Sequence, residues 1–465
     1  MFRHIMNESN GLRKYILWFA YEHLDFRYQE IDSIATLLNV NLTWIHRSAS
    51  NPFWLVGVQS EEEVVKLTSR SVTLRYAIEL WSSSSQREDF HGQLKSLPSS
   101  FTAPYFDENV SYKVKVEVFG SSQTQVEKVQ RIESFSYLPL KGPVKLKDPD
   151  VSFQYIEYYG HDTTNIPDEP HHFYFGRIVS EGQRDLIKKH SLKSRKFIGN
   201  TSMDPQLSLI MANQGLVKNG SLIYDPFVGS GSLLIGAAQF GGLVMGADLD
   251  YLMLHGKSRP TRKQARHKPR QEENILANMK QYGLAHRYVD IVVADFSLPL
   301  WHDSFKLDAI ITDPPYGVRE AVERLGTARE DKSISNRHLP THIPSKIQYS
   351  MAQLLHDLLS FAAKHLRMGA RLVTWIPIIR LEYDESLLPH HECLRLIANS
   401  EQILSTNGSR RLLTYEKIGE PQVETRTIVG EEETYRQKYS RYIVENKKHK
   451  MEDDHKGKKF KNSTE

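Results

Sequence analysis

The run Asp225-Pro-Phe-Val-Gly-Ser-Gly-Ser232, set between a short apolar stretch at 221–224 and a helical one at 233–239, constrains this chain more than any other feature. A strand, a glycine-rich turn and a helix in that order bring backbone close to a ligand, because Gly229 and Gly231 carry no Cβ to obstruct it. Ser232 is expected to cap the helix. The loop has neither the phosphate-gripping lysine of G-x-x-x-x-G-K-[ST] nor the third glycine of G-x-G-x-x-G. Instead a carboxylate, Asp225, opens it, which repels phosphate and attracts an ammonium group. S-adenosylmethionine carries an ammonium and a sulfonium and no phosphate, so it fits such a loop. Alone, the loop reads equally well as a plain turn in an α/β sheet.

Two further acids change the balance. Asp248, in Met245-Gly-Ala-Asp248-Leu-Asp250, ends the next apolar run 23 residues after Asp225, the spacing of one strand–helix–strand step, and is placed to accept ribose hydroxyls. Asp295 ends the run after that and is assigned to the adenine amino group. Three acids at successive strand ends, on the edge where such sheets bind ligands, point to one nucleotide-like cofactor.

After the apolar run 307–312 comes Asp313-Pro314-Pro315-Tyr316. Two prolines hold the chain extended and remove two amide donors, leaving carbonyls free to accept. The Asp313 carboxylate and the Pro314 carbonyl then suit a planar NH2 group, with the Tyr316 ring as a stacking surface. An exocyclic amine is a poor nucleophile because its lone pair is delocalised into the ring. Acceptors on its N–H bonds draw that nitrogen towards tetrahedral geometry and stabilise the charge that grows as it attacks a methyl group. The competing reading is a turn that merely ends a strand.

These motifs sit in an α/β texture that starts near residue 196. Strands are expected at 222–224, 243–247, 291–293, 309–311 and 371–376, with helices such as 233–239 and 352–365 between them, the pattern of a parallel doubly wound sheet. Upstream the pattern is α+β. Strands are expected at 15–21, 53–58, 72–80, 112–119 and 173–179, and helices at 26–38 and 61–70. In 112–119, Lys113, Lys115 and Glu117 alternate with three valines, giving one solvated face. The stretch 140–168, rich in Pro, Gly, Lys and Asp, is read as an irregular connection.

With 465 residues, two or three domains are expected. A net charge of +4 argues for no anionic partner by itself, so local density decides. Seven of the fourteen residues 257–270 are Lys or Arg and none is acidic, and Arg259, Arg262, Lys263 and Arg266 are the candidate RNA-phosphate contacts. A solvated loop is the bland alternative. The last twenty residues hold seven lysines and are expected to be disordered. The charged, Pro-containing stretch 319–346 reads as an insertion, an ordered lid or a loose loop. One cysteine, Cys393, leaves no internal disulfide and no Cys-rich zinc site, and no metal site is expected. No run is long and apolar enough for a bilayer, so a soluble, cytoplasmic protein is expected, with a nuclear fraction left open by the lysine tail.

Taken together, Asp225-Pro-Phe-Val-Gly-Ser-Gly, Asp313-Pro-Pro-Tyr and Phe197-Ile-Gly-Asn-Thr-Ser-Met-Asp204 resemble the amino-group methyltransferases that use S-adenosylmethionine. More narrowly, the chain from Tyr15 to about Tyr415 is similar to the family of catalytic subunits that methylate N2 of guanosine at position ten of eukaryotic tRNA. The resemblance implies a Rossmann-like methyltransferase domain at 192–430, an N-terminal RNA-binding region at 1–191 that includes a THUMP domain, and a basic tail at 431–465. It implies tRNA as substrate and a small zinc-binding activator subunit as partner. By motif it assigns Asp225, Phe227, Gly229, Gly231, Thr201, Ser202 and Asp248 to the cofactor, and Asp313, Pro314, Pro315 and Tyr316 to the target base. Ser230 and Ser232 stand where the family's loop usually has Thr and Gly. The motifs fix the reacting amine and not the base. An enzyme acting on adenine N6 or on rRNA guanine N2, and an inactive RNA-binding scaffold, remain open on the residues alone.

Overall fold

The computed structural model describes residues 11–199, 201–254, 273–317, 320–326, 344–422 and 427–428. They form two compact units that divide between Asp185 and Leu186.

The first unit is built on one seven-stranded sheet. Its strands are β1 (Arg13–Phe19), β2 (Thr43–Ser48), β3 (Asn51–Val58), β4 (Leu74–Ser84), β5 (Tyr112–Phe119), β6 (Val151–Tyr158) and β7 (His172–Glu181), in the order β2-β3-β1-β4-β7-β6-β5. All neighbours are antiparallel except β5 and β6. The helix Arg27–Leu38 places Ile31 and Ile34 one turn apart against Tyr15, Leu17 and Val56, so one stripe of the helix closes one face of the sheet. Its Glu30 is fully buried and accepts from Val72 N at 2.9 Å and Thr73 N at 3.0 Å, clamping the chain that leads into β4. Trp81, Phe90, Phe135, Phe153 and Phe175 build a second, aromatic cluster around the helix Arg87–Lys95.

β6 corrects the expectation of an irregular connection at 140–168. The Pro, Gly, Lys and Asp residues that suggested it lie at 141–150 and 160–168, and β6 runs between them with its polar Gln154 and Glu157 buried and partnered. Gln154 Nε2 donates to Tyr155 O at 3.0 Å, and Glu157 accepts from Arg131 Nε at 2.9 Å. The lysines of β5 find partners within the unit: Lys113 Nζ donates to Leu146 O and Lys115 Nζ lies 4.7 Å over the Tyr76 ring.

The second unit carries a nine-stranded sheet. Its strands are β8 (Leu222–Asp225), β9 (Leu243–Asp248), β10 (Tyr288–Val293), β11 (Leu307–Thr312), β14 (Leu366–Ile379), β15 (His390–His391), β16 (Leu394–Ile403), β17 (Gly408–Lys417) and β18 (Thr427–Ile428). A separate pair, β12 (Glu323–Leu325) and β13 (Lys346–Gln348), stands outside it. The order is β10-β9-β8-β11-β14-β17-β16-β15-β18, parallel as far as β14 and antiparallel from β17 onward. The chain steps from β8 to β9 in one direction and later returns to β11 on the other side. That reversal falls at the carboxyl ends of β8 and β11, the place where sheets of this kind hold ligands. The helix Met351–His365 covers one face with Leu354, Leu355, Leu358, Leu359 and Ala362. The expected parallel core is therefore present, and the antiparallel hairpin β16–β17 adds strands that the periodicity of 394–417 did not announce. Among the described residues no helix is long and apolar enough to cross a membrane.

Candidate active site

Asp225 ends β8 and is 1% exposed. Its Oδ1 accepts from its own loop, Phe227 N at 3.0 Å, and from Thr312 Oγ1 at 2.7 Å. Thr312 is the last residue of β11, so the acid that opens the glycine turn and the Asp313 corner are tied together across the reversal point of the sheet.

The glycine turn is left-handed twice, with φ of +47° at Gly229 and +77° at Gly231. Gly229 meets the expectation of an open approach, since a Cβ built there touches nothing within 4 Å. Gly231 serves a different end: a Cβ there would lie 2.7 Å from Ile275 Cγ2, so its bareness lets the turn pack on the helix Ile275–Gln281. Gly231, and not Ser232, occupies the N-cap position of the helix Ser232–Gln239. Ser232 Oγ accepts instead from the buried Arg195 guanidinium at 2.9 Å, which corrects its expected capping role. Ser230 Oγ bonds to Ser202 Oγ at 2.6 Å. Both serines that depart from the usual loop thus have local partners.

Asp248 ends β9 with Oδ2 accepting from Gly229 N and Oδ1 from Asp250 N, both at 2.9 Å. Asp295, 3% exposed, takes Ser297 N at 3.0 Å and Ser297 Oγ at 2.7 Å on Oδ1, and Leu325 N at 2.7 Å on Oδ2. Three donors from its own chain make it the anchor of β12, and an adenine amino group would share its remaining lone pairs. From the segment before the helix Pro205–Gln214, Ser202 Oγ accepts from Gly199 N at 2.7 Å and the Thr201 hydroxyl donates to Glu320. Phe227 packs edge-on against Phe296, ring centroids 4.9 Å apart.

At the corner, Pro314 is buried while Asp313, Pro315 and Tyr316 are half-buried. The Tyr316 hydroxyl donates to Asp313 Oδ1, and Arg410 Nη1 donates to Oδ2 at 3.2 Å. Arg410 comes from β17 and was invisible in the sequence, as was Glu320; neither lies in a motif.

Burial pushes the Asp225 carboxyl up to about 7, with Asp248 and Asp313 nearby adding to it and the Thr312 and Phe227 hydrogen bonds opposing. Burial likewise raises Asp248 and Asp313, the latter drawn back by Arg410 and Tyr316. Burial and the Asp313 charge raise the Tyr316 phenol, which therefore keeps its proton and remains a donor. Burying several acids around one crevice is costly unless a positive charge joins them. A ligand bearing an ammonium and a sulfonium supplies that charge. The candidate phosphate contacts Arg259, Arg262, Lys263 and Arg266 lie outside the described residues, as does most of the insertion at 319–346.

A doubly wound sheet with buried acids at its reversal point, beside a diproline acceptor corner, defines a methyltransferase domain acting on an amino group. The family described as RMKL-like, methyltransferase domain matches residues 193–331, and that described as Tmrp11 THUMP N-terminal domain matches 13–184. The chain is 44% identical over 411 residues to the tRNA (guanine(10)-N(2))-methyltransferase TRMT11 of Gallus gallus, covering 88% of this chain and 89% of that one. It is 43% identical over 414 residues to the human protein of that name, with the same coverage, and 34% identical over 433 residues to that of Dictyostelium discoideum, covering 87% and 82%. The chain belongs to the TRMT11 family of tRNA (guanine(10)-N(2))-methyltransferases.

Proposed function

We propose that this chain transfers the methyl group of S-adenosylmethionine to the exocyclic N2 amine of the guanosine at position ten of tRNA. The observation that carries the reading is the 2.7 Å hydrogen bond from Thr312 to Asp225, which holds the amine-acceptor corner beside the acid suited to a cofactor ammonium. Asp225, Phe227, the open backbone at Gly229, and Asp248 would hold the cofactor, with Thr201, Ser202 and Asp295 around them. The cofactor supplies an electrophilic methyl group on sulfur. Asp313 and the Pro314 carbonyl accept the two N–H bonds of the amine, aim its nitrogen and stabilise the positive charge that develops on it. The surplus proton leaves through Asp313. A base stacked in a helix cannot present its amine to a corner this buried, so it must be turned out at a cost of a few kcal/mol. Holding the two reactants at attack distance can supply roughly 7–11 kcal/mol of the barrier, so positioning outweighs acid–base work here.

The first unit is assigned to tRNA binding, in line with its THUMP family match. A small zinc-binding activator subunit, which the family resemblance implies, belongs to the same reading. The half-exposed Val289 and Val293 on β10 support it, because that strand pairs only with β9 among the described residues and such edges are usually covered.

Nucleoside mass spectrometry on tRNA from cells lacking the chain tests the proposal. Loss of N2-methylguanosine is expected, and loss of N6-methyladenosine instead would overturn it. Reversing Arg262, Lys263 and Arg266 to Glu is expected to weaken tRNA binding and flatten its salt dependence by up to about 3 in slope, measured by filter binding across salt concentrations. An unchanged slope removes those residues from the RNA contact.

A further inference from the structure

Arg410 is the feature of the site that no motif contains. It lies on β17 between Pro377 of β14 and Gln402 of β16, and its side chain is 13% exposed. Its guanidinium stacks 4.1 Å over the ring of Trp375, which is fully buried. Its Nε donates to Gln402 Oε1 at 2.7 Å, its Nη2 points to Met203 Sδ at 3.3 Å, and its Nη1 donates to Asp313 Oδ2 at 3.2 Å. Three directions of the planar fork are thus taken by three separate elements, and an arginine so held has little freedom left. Met203 belongs to the same segment as Thr201 and Ser202, so one cation bridges that segment and the acceptor corner.

We propose that Arg410 is the positioning residue of methyl transfer: by occupying Oδ2 of Asp313 it fixes the carboxylate as a one-sided acceptor whose Oδ1 serves the substrate amine. This rests on the reading of the corner as the amine site. The Tyr316 hydroxyl now sits on Oδ1, so it must turn aside when the amine binds, and Tyr316 exchanges places with the substrate at that oxygen. The arrangement also explains the chemistry of position 313. An asparagine facing a guanidinium would have to offer it the amide oxygen, turning NH2 towards the amine, donor against donor. A carboxylate can serve both sides.

Among the described residues, the titratable groups facing Asp313 are Arg410 from β17, the neutral Tyr316 phenol from its own loop, Asp225 at the end of β8, and Glu320. Of these, Arg410 alone is positive. Removing it leaves Asp313 buried among acids, where the carboxyl takes up a proton more readily and stops accepting.

The test uses the full chain with the activator subunit supplied, tRNA, and labelled S-adenosylmethionine, with single-turnover rates measured from about pH 6 to 9. Arg410→Gln is expected to lower the rate at pH 7 by about 10²-fold. It is expected to move the acidic limb of the profile upward by about 1–2 pH units, with cofactor affinity and the KM for tRNA nearly unchanged. Arg410→Lys keeps the charge without the fork, so the limb should return towards its wild-type position while a rate loss of about tenfold persists. A rate for Arg410→Gln equal to wild type, or a loss uniform at every pH with the limb unmoved, overturns the role of Arg410 alone. Should Arg410→Gln not fold, Arg410→Lys decides, and a rate within about twofold of wild type overturns the requirement for the fork. A wild-type chain that transfers no methyl group to tRNA sinks instead the reading of the site on which the proposal stands.

Discussion

Replacing Asp313 by alanine is expected to abolish methyl transfer, lowering the single-turnover rate by at least about 10³-fold, while S-adenosylmethionine still binds. One preorganised partner for developing charge is typically worth 10²–10³ in rate. Asp313 does two such tasks, since it aims the amine and offsets its charge. Asp313→Ala also strands the Arg410 guanidinium in a largely buried site, and removing one partner of such a pair costs about 3–5 kcal/mol. Part of the lost activity could then be lost fold, so Asp313→Asn is the necessary companion. It keeps the shape and an acceptor for Arg410, and on the geometry proposed it should still lose most of the rate. Calorimetry with the cofactor, alongside a melting temperature, separates the two causes. Turnover by either variant at the wild-type level would remove Asp313 from the chemistry.

Why this corner was legible in the sequence, and its support was not, follows from how each is encoded. Asp225, the glycine turn, Asp248 and Asp313-Pro-Pro-Tyr are local signals. A strand must break where its carboxyl end meets a ligand, and it does so with glycine, proline and acids within a few residues. Arg410 is 97 residues from Asp313 and on a strand flanked by Ser409 and Arg411, which reads as an ordinary polar edge. Only the antiparallel return of β17 alongside β14 brings it to the corner. Strand β6 was hidden for a related reason. The Pro, Gly, Lys and Asp that argued for a loop flank it at 141–150 and 160–168, and its own polar residues Gln154 and Glu157 are interior groups with hydrogen-bond partners in Tyr155 and Arg131. At Gly231 the residue was foreseen and its reason was not, because the clash with Ile275 comes from a helix 44 residues downstream.

Asp225 carries the second large effect. Asp225→Ala is expected to weaken S-adenosylmethionine by about 10²-fold or more, since truncating one partner of a buried charge pair costs roughly 2–5 kcal/mol. The rate at saturating cofactor should fall far less. The wild-type chain should also show the acid directly. With Asp225 titrating near 7, about half of the free protein has it protonated at that pH, whereas an ammonium ligand requires the carboxylate. Binding therefore releases a proton, and the affinity should fall towards tenfold per unit as pH drops below about 7. Stability of the free chain runs the other way. Because folding raises this carboxyl above its ordinary 3.8, the folded state holds the proton more tightly than the unfolded one between those values. Stability is lost as pH rises through that window, and the burden is complete above it. Asp225→Asn carries no such charge, so its melting temperature relative to wild type should be higher at pH 8 than at pH 5, even as its cofactor affinity is poor at both. Wild-type affinity that stays level from about pH 5.5 to 8 would mean that Asp225 does not meet the ammonium, and the cofactor would have to be turned round in the crevice.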